Sequence, residues 1–174
     1  MAQRTPKPLD ENRLLAFAAQ ALSARALTVS ELREKLKRRA ATPSDVDLVL
    51  ARLKEAGYLN DQRFAESYAG WRRDDGGFGK TRVLRDLMSR RVAPAVAKQA
   101  ADAAFKETDE VAMIEAFLQR KYRGKDLAAL LKEEKHLASA YRKLRTSGFS
   151  TANSIKVLKR YADQAELLED TENE

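Results

Sequence analysis

Residues 74–81 read DDGGFGKT, and their close on Gly79, Lys80 and Thr81 is how a phosphate-cradling loop ends. A loop of that kind follows G-x-x-x-x-G-K-S/T, with its first glycine turning the chain out of a buried strand so that backbone N–H groups face the phosphates. Counting back from Gly79 puts Asp74 in that glycine's place, where its carboxylate, beside Asp75, repels a nucleotide. Upstream, RFAESYAGWRR spaces Phe64, Tyr68 and Trp71 as on a helix, and no apolar strand ending in a magnesium-binding acid follows downstream. A nucleotide hydrolase is therefore not expected. The stretch reads better as a joint between two helices: its glycines supply conformational freedom, Gly79 serves as an N-cap, and Lys80 and Thr81 open the next helix.

Other catalytic constellations lack parts. There is no cysteine, which excludes disulfides and thiolate metal sites, and the single histidine, His136, reads as a surface side chain with no imidazole partner. No cofactor is expected. The residues able to do most are cationic: Arg72, Arg73, Lys80, Arg82, Arg85, Arg90 and Arg91 make residues 72–91 the most concentrated basic stretch, diluted by Asp74, Asp75 and Asp86. On the helix that turns Val83, Leu84, Leu87 and Met88 to the core, Arg82 and Arg85 fall opposite and are expected to be exposed. Lys37, Arg38 and Arg39, and further along Arg120, Lys121, Arg123 and Lys125, are secondary candidates for the same kind of contact. Alternating-sign segments such as LKEEKH read as solvated helix.

With 174 residues, 44% hydrophobic and 34% charged, the chain can bury one modest core or several small helical cores side by side, which leaves little room for a large enzymatic architecture. The formal charge is +7, yet the last thirteen residues carry six acids and no base, leaving +13 on the remainder. Such a balance points to a polyanionic partner, nucleic acid above all, or else to a solubilising surface, and the acidic end can compete for the basic one. No apolar run approaches the roughly 20 residues that span a bilayer, and MAQRTPKPLDENR has no apolar signal core. A soluble, cytoplasmic protein in a reducing compartment is expected, with no membrane partner.

The elements that must position these cations are helical almost throughout. Leu14, Leu15, Phe17, Ala18, Ala21 and Leu22 mark a first helix; Ser30–Arg39, with Leu32 and Leu36, a second; and Thr42–Gly57 a third, capped by Thr42 and Asp45, opened by Pro43 and ended by Gly57. The pattern recurs. Leu14, Phe64 and Ile114 are spaced by 50 residues, as are Ala18, Tyr68 and Leu118; Leu36 matches Leu87 at 51 and Leu144 at a further 57; Leu50, Ala101 and Leu158 share one slot. The longer gap in the third copy holds KDLAALLKEEK, either a separate short helix or an upstream extension of the helix bearing Leu144. The expected organisation is a basic N-terminal arm (1–9), helical repeats at 10–57, 58–106 and 107–162, and an acidic C-terminal tail (163–174). The fold class is all-α, three tandem three-helix repeats stacked into an elongated, curved array whose long surface suits a long partner.

The segment GYLNDQRFAESYAGWRRDDGGFGKTRVLRDLMSRRVAP, from Gly57 to Pro94, resembles the most distinctive part of RecX proteins. In that family a Y-L-N/D-D-x-x-F-A motif opens the second unit, a Gly-rich basic joint follows, and the next helix reads like I-x-x-E-L-x-x-K/R-G-V. TVSELREKLKRR in the first unit, and RKLRTSGFS and SIKVLKRY in the third, are similar too, so the resemblance covers residues 12–161. The family often has glycine after each second helix; here Gly148 fits, whereas Ala40 and Arg91 depart, and Lys80 stands where proline is common.

The resemblance implies a non-enzymatic modulator of the RecA recombinase in homologous recombination, DNA repair and the SOS response. Such a protein binds along the groove of the RecA filament on DNA and restrains its ATPase, strand-exchange and co-protease activities. DNA itself, single- or double-stranded, is a weaker, salt-dependent partner, and the chain is expected to act as a monomer. The alternative is a stand-alone basic helical DNA-binding module, and a third reading is a helical scaffold for another protein. Under the family reading the cations of residues 72–91 favour a binding role over plain solvation. Tyr58 and Asp61 belong to the family-like motif and could meet the partner, yet Asp61 or Asn60 can cap a helix and Tyr58 can pack across the unit boundary, so the structural role is favoured. Trp71 is read the same way.

Overall fold

The computed structural model describes residues 8–168, so most of the expected basic arm and the last six residues of the acidic tail lie outside the described residues. Among the described residues ten α-helices follow one another: α1 Glu11–Ala24, α2 Val29–Lys37, α3 Pro43–Glu55, α4 Asp61–Asp74, α5 Lys80–Ser89, α6 Pro94–Phe105, α7 Glu110–Lys121, α8 Leu127–Leu131, α9 Glu134–Thr146 and α10 Thr151–Leu158, followed by a 3-10 helix at Asp163–Leu168. The all-helical class matches the expectation, and no named strand occurs among the described residues.

Local chemistry sets most helix starts. The hydroxyl of Thr42 accepts from the Asp45 N–H while the Asp45 carboxylate reaches back to the Thr42 N–H, a reciprocal cap with Pro43 behind it. Thr28 and Glu31 make the same box and start α2 at Val29, ahead of the expected Ser30. Gly57, at φ +73°, ends the third-helix region in the left-handed conformation that an L side chain resists. The extra length of the third unit resolves into both options at once: Asp126 caps the separate α8, and α9 then starts as early as Glu134.

Three hydrophobic clusters form. Leu14, Leu32, Leu36, Val49 and Leu50 centre the first; Ala65, Ala69, Val83, Leu87, Ala97 and Ala100 the second; Ile114, Leu118, Leu137, Leu144, Phe149 and Leu158 the third. The middle cluster is built largely of alanine, whose single methyl buries far less area than leucine, and burial contributes only about 25 cal/mol per Å². Partly buried Phe64, Tyr68, Phe78, Leu84 and Phe105 pack around this cluster. It also corrects the repeat alignment by one residue: Ala65 and Ala69, not Phe64 and Tyr68, take the slots of Leu14 and Ala18, an offset of 51 that then holds through Val83, Leu87, Ala97 and Ala101. The reason is α6, whose Ala97, Ala100 and Ala101 leave room for α4 to approach closely only through small residues. Phe64 and Tyr68 rotate to the flank, stacked on each other at 5.8 Å. Met88, expected in the core stripe of α5, is half exposed, because Val83, Leu84 and Leu87 already fill the contact.

The units meet through their second helices, placed end to end. The Arg90 carbonyl, at the end of α5, accepts from the Thr28 hydroxyl at the start of α2 at 3.0 Å. One unit on, the Ser147 carbonyl at the end of α9 accepts from the Gly79 N–H at 2.9 Å, and the Gly148 carbonyl from the Thr81 N–H at 3.2 Å. The C-terminus of α9 thus supplies acceptors to orphan backbone donors at the start of α5, whereas that of α5 meets the capping side chain of α2. Here DDGGFGKT takes its place. Gly79 sits at an ordinary φ of −75° and needs its hydrogen for close approach: a Cβ would lie 2.2 Å from the Gly148 carbonyl oxygen. The joint is locked against the third unit, which corrects the expectation that its glycines mainly confer freedom; only Gly77 (φ +58°) uses the left-handed region.

Both chain ends join the fold further than expected. Leu9 pairs with Ala40 beyond α2, its N–H donating to the Arg39 carbonyl at 2.7 Å. At the other end Ala165 is fully buried in the third cluster, so the acidic tail begins as part of that unit.

Candidate protein and nucleic-acid interfaces

The structure does not gather the cations of residues 72–91 into one free patch, because carboxylates and carbonyls consume nearly all of them. Arg72 is the clearest case. Its Nη2 lies 2.5 Å from Asp86 Oδ2, its guanidinium stacks 3.9 Å above the Phe78 ring, and its side chain is only 15% exposed. Arg82 takes the other oxygen of Asp86 through Nε at 2.9 Å and points Nη1 at the Thr146 carbonyl across the unit seam, while the Tyr68 hydroxyl donates to Oδ2 at 3.3 Å. The exposure expected for Arg82 is therefore corrected: at i and i+4 on α5 it folds back onto Asp86. Burial pushes the Asp86 carboxyl up, but hydrogen bonds from Arg72 and Arg82 outweigh it and hold the group below the ordinary carboxylate value.

The rest are spoken for in turn. Arg73 pairs with Asp74 at 2.6 Å and also donates to the Ala104 carbonyl. Lys80 shares Asp102 with Lys98, at 2.7 and 2.8 Å, and the hydrogen bonds from Lys80 and then Lys98 pull the exposed Asp102 carboxyl down to about 2. Arg90 crosses to Glu31 of the first unit at 2.7 Å, and Arg91 lies 3.9 Å from Glu34. Arg85 alone of the seven is exposed and makes no ion pair or hydrogen bond among the described residues. In the first unit Lys37 pairs with Glu34 at 3.3 Å, Arg39 lies over the Phe17 ring at 5.2 Å, and Arg38 is exposed and unpaired among the described residues.

Asp61 and Tyr58 part company. Asp61 Oδ1 accepts from the Val29 N–H at 2.8 Å, tying the start of α4 to the start of α2, a structural role other than the expected cap, which falls to Asn60. Tyr58 instead stands 71% exposed, and Trp71 53% exposed, so the packing expected of both is incomplete. Both line an apolar groove of about 960 Å³ between α1 and α4, walled by Leu15, Leu22, Phe64 and Tyr68. The one-residue turn of α4 creates this wall by moving its bulky aromatics out of the core. Trp71 is held there by Tyr68, 6.1 Å between ring centres, and by Arg72, 5.7 Å from its ring. Exposed tryptophan and tyrosine at a concave apolar surface are the usual anchors of protein recognition.

A second concavity, of about 550 Å³, opens between α7 and α9 at the seam with the middle unit. Arg120 and Lys121 line one side, Arg142 and Lys143 the other, over Phe78 and Phe117. Arg120 donates to the Gly76 carbonyl at 3.1 Å and Lys143 to the Tyr122 hydroxyl at 3.1 Å, while Lys121 and Arg142 are exposed and unpaired among the described residues, as are Arg123 and Lys125 beyond the end of α7. Arg142 and Lys143 do not stand out in the sequence. The repeat could have found Arg142, since it lies 57 residues beyond Arg85, the offset that relates Leu87 to Leu144.

Comparison with known proteins agrees with this architecture. A family model described as "RecX, second three-helix domain" matches residues 60–100. The "Regulatory protein RecX" of Deinococcus radiodurans is 36% identical over 148 residues, spanning 84% of this chain and 68% of the relative. That of Halorhodospira halophila is 33% identical over 147 residues, spanning 84% and 86%. Among solved structures, RecX from Lactobacillus salivarius superposes with a TM-score of 0.64 at 16% identity, covering 87% of this chain and 96% of that one, a likeness of fold. With the helical repeat, the Tyr58–Ala65 motif and these relatives in agreement, the chain belongs to the RecX family of regulatory proteins.

Proposed function

We propose that this protein is a non-enzymatic, monomeric regulator of homologous recombination and DNA repair in the cytoplasm, which binds along the groove of the RecA–DNA filament and restrains RecA ATPase, strand exchange and co-protease activity. The observation that carries this reading is the apolar groove between α1 and α4, with Tyr58 and Trp71 standing in it on a scaffold of the RecX family. A groove at a unit boundary is set rigidly by the cross-unit bonds of Asp61 and Arg90, so its aromatics meet a partner with little ordering cost. The test is RecA ATPase with the protein added well below one per RecA protomer. Inhibition is expected, and Trp71→Ala should weaken it by about 2 kcal/mol or more, roughly thirtyfold. No inhibition at any ratio refutes the reading.

The unneutralised cations around the third unit favour a second reading, a DNA-binding module that needs no recombinase. Trp71 is the only tryptophan and separates the two. A fluorescence response to preformed filament at concentrations where bare single-stranded DNA gives none supports the first; equal, steeply salt-dependent responses support the second.

A further inference from the structure

We infer that the cleft between α7 and α9, at the seam of the second and third units, is a site for the sugar–phosphate backbone of a nucleic-acid strand. The inference builds on the DNA contact in the reading above, but not on filament inhibition. Its basis is a contrast in charge compensation. On residues 72–91 the cations are matched to Asp74, Asp86, Asp102, Glu31 and Glu34, with Arg85 left over. Around this cleft Arg120, Lys121, Arg142 and Lys143 converge with no carboxylate among the lining residues. Their internal contacts are to a carbonyl and a phenol, which leave the charge standing. Four like charges held together repel one another, and a bound polyanion removes that repulsion while releasing its own counterions.

The shape of the site selects backbone over bases. Its aromatic floor offers little surface for stacking: the Arg72 guanidinium lies 3.9 Å over the Phe78 ring, and Phe117 is buried and meets Phe149 edge-on at 5.6 Å. Base stacking is therefore disfavoured, and the donors on offer are the charged heads and the hydroxyls of Ser139 and Thr146, which suit phosphate oxygens and carry no sequence information. The cationic row also continues past the cleft. Arg142 on α9 and Arg85 on α5 occupy the same repeat slot, both unpaired among the described residues, on helices joined end to end by the Gly79–Ser147 and Thr81–Gly148 hydrogen bonds. A linear polyanion fits such a row better than a compact anion does.

The test is fluorescence anisotropy of a labelled single-stranded deoxyoligonucleotide with the full chain across a salt series. Lys121 and Arg142 are exposed and have no partner among the described residues, so Lys121→Glu with Arg142→Glu should leave helical content intact. Affinity is expected to fall at least about tenfold, and the slope of log affinity against log salt to flatten by about 1.4, near 0.7 for each phosphate no longer neutralised. Lys121→Gln with Arg142→Gln should give a smaller drop in the same direction. Lys54→Glu with Lys106→Glu, exposed and unpaired cations elsewhere with the same change in net charge, should have much less effect. Equal drops in the two Glu pairs, or none in either, overturn the site. So does a polyglutamate peptide that depends on Lys121 and Arg142 when the oligonucleotide does not. RecA ATPase run in parallel separates the two claims. Failure to inhibit RecA, with cleft-dependent oligonucleotide binding intact, removes the filament reading and leaves this one; inhibition of RecA, with DNA binding indifferent to the cleft variants, does the reverse.

Discussion

Gly79→Ala isolates the contact that joins the second and third units. At φ −75° and ψ 163° the backbone of Gly79 is open to any residue. In free space alanine there would stabilise the fold by about 0.4–1 kcal/mol, by narrowing the unfolded ensemble. The added Cβ would instead lie 2.2 Å from the Gly148 carbonyl oxygen and 2.5 Å from the Phe149 nitrogen, both backbone atoms that cannot swing aside. The seam must open, which breaks the Gly79 N–H to Ser147 bond at 2.9 Å and the Thr81 N–H to Gly148 bond at 3.2 Å. Two such bonds are worth about 1–3 kcal/mol net, and separating the surfaces forfeits packing as well, so a net loss of about 2 kcal/mol is expected. Because the middle core is alanine-rich, the loss should fall first on that unit. Urea unfolding followed by Trp71 fluorescence, which reports the middle unit, should shift to lower denaturant than the far-ultraviolet circular dichroism signal, which reports every helix. A variant as stable as the parent, or more so, with coincident transitions would refute the close approach at Gly79.

The same geometry yields further expectations. Arg91 holds φ +59°, a strain that costs an L residue roughly 1–2 kcal/mol, while its 3.9 Å contact to Glu34 is exposed and weak; Arg91→Gly should stabilise the chain by about 0.5 kcal/mol in chemical denaturation, where a loss would overturn the strain argument. Arg82→Glu and Arg85→Glu, alike in charge, should diverge: the first sets a carboxylate against Asp86 and costs about 2 kcal/mol or more, the second leaves the melting temperature nearly unchanged. Asp86 has a depressed folded-state pKa, so its contribution is present above the unfolded carboxylate value near 4 and is lost as pH falls through the folded one; Asp86→Asn should lower stability at neutral pH and flatten this acid limb, and an unchanged limb would remove Asp86 from the account.

How much of the molecule is legible in its sequence depends on the range of the interaction. Thr42, Pro43, Asp45 and Gly57 bound one helix through contacts within three or four residues, and they do so in the structure as expected. Gly79 is the N-cap its position implies, but for a different reason, since its demand for space comes from Gly148, far along the chain. The slip of α4 is invisible to a spacing rule, because Phe64 and Tyr68 fit the apolar period as well as Ala65 and Ala69 do; the alanines of α6 decide between them. The cations are the hardest to read. Clustering in sequence marks residues 72–91 as the basic face, but clustering also brings acids into reach, and Asp86 alone occupies two of the arginines.

By itself the sequence determined the all-α class, the recurrence of a three-helix unit, the caps, and membership of a family, because periodicity, capping and motif spacing are encoded within a turn or two of helix. Only the tertiary structure decided which charges remain available, which aromatics face outward, and that the second helices meet end to end. Those outcomes turn on contacts between different helices, where a one-residue rotation moves a phenylalanine from core to groove and one partly buried carboxylate holds two guanidinium groups.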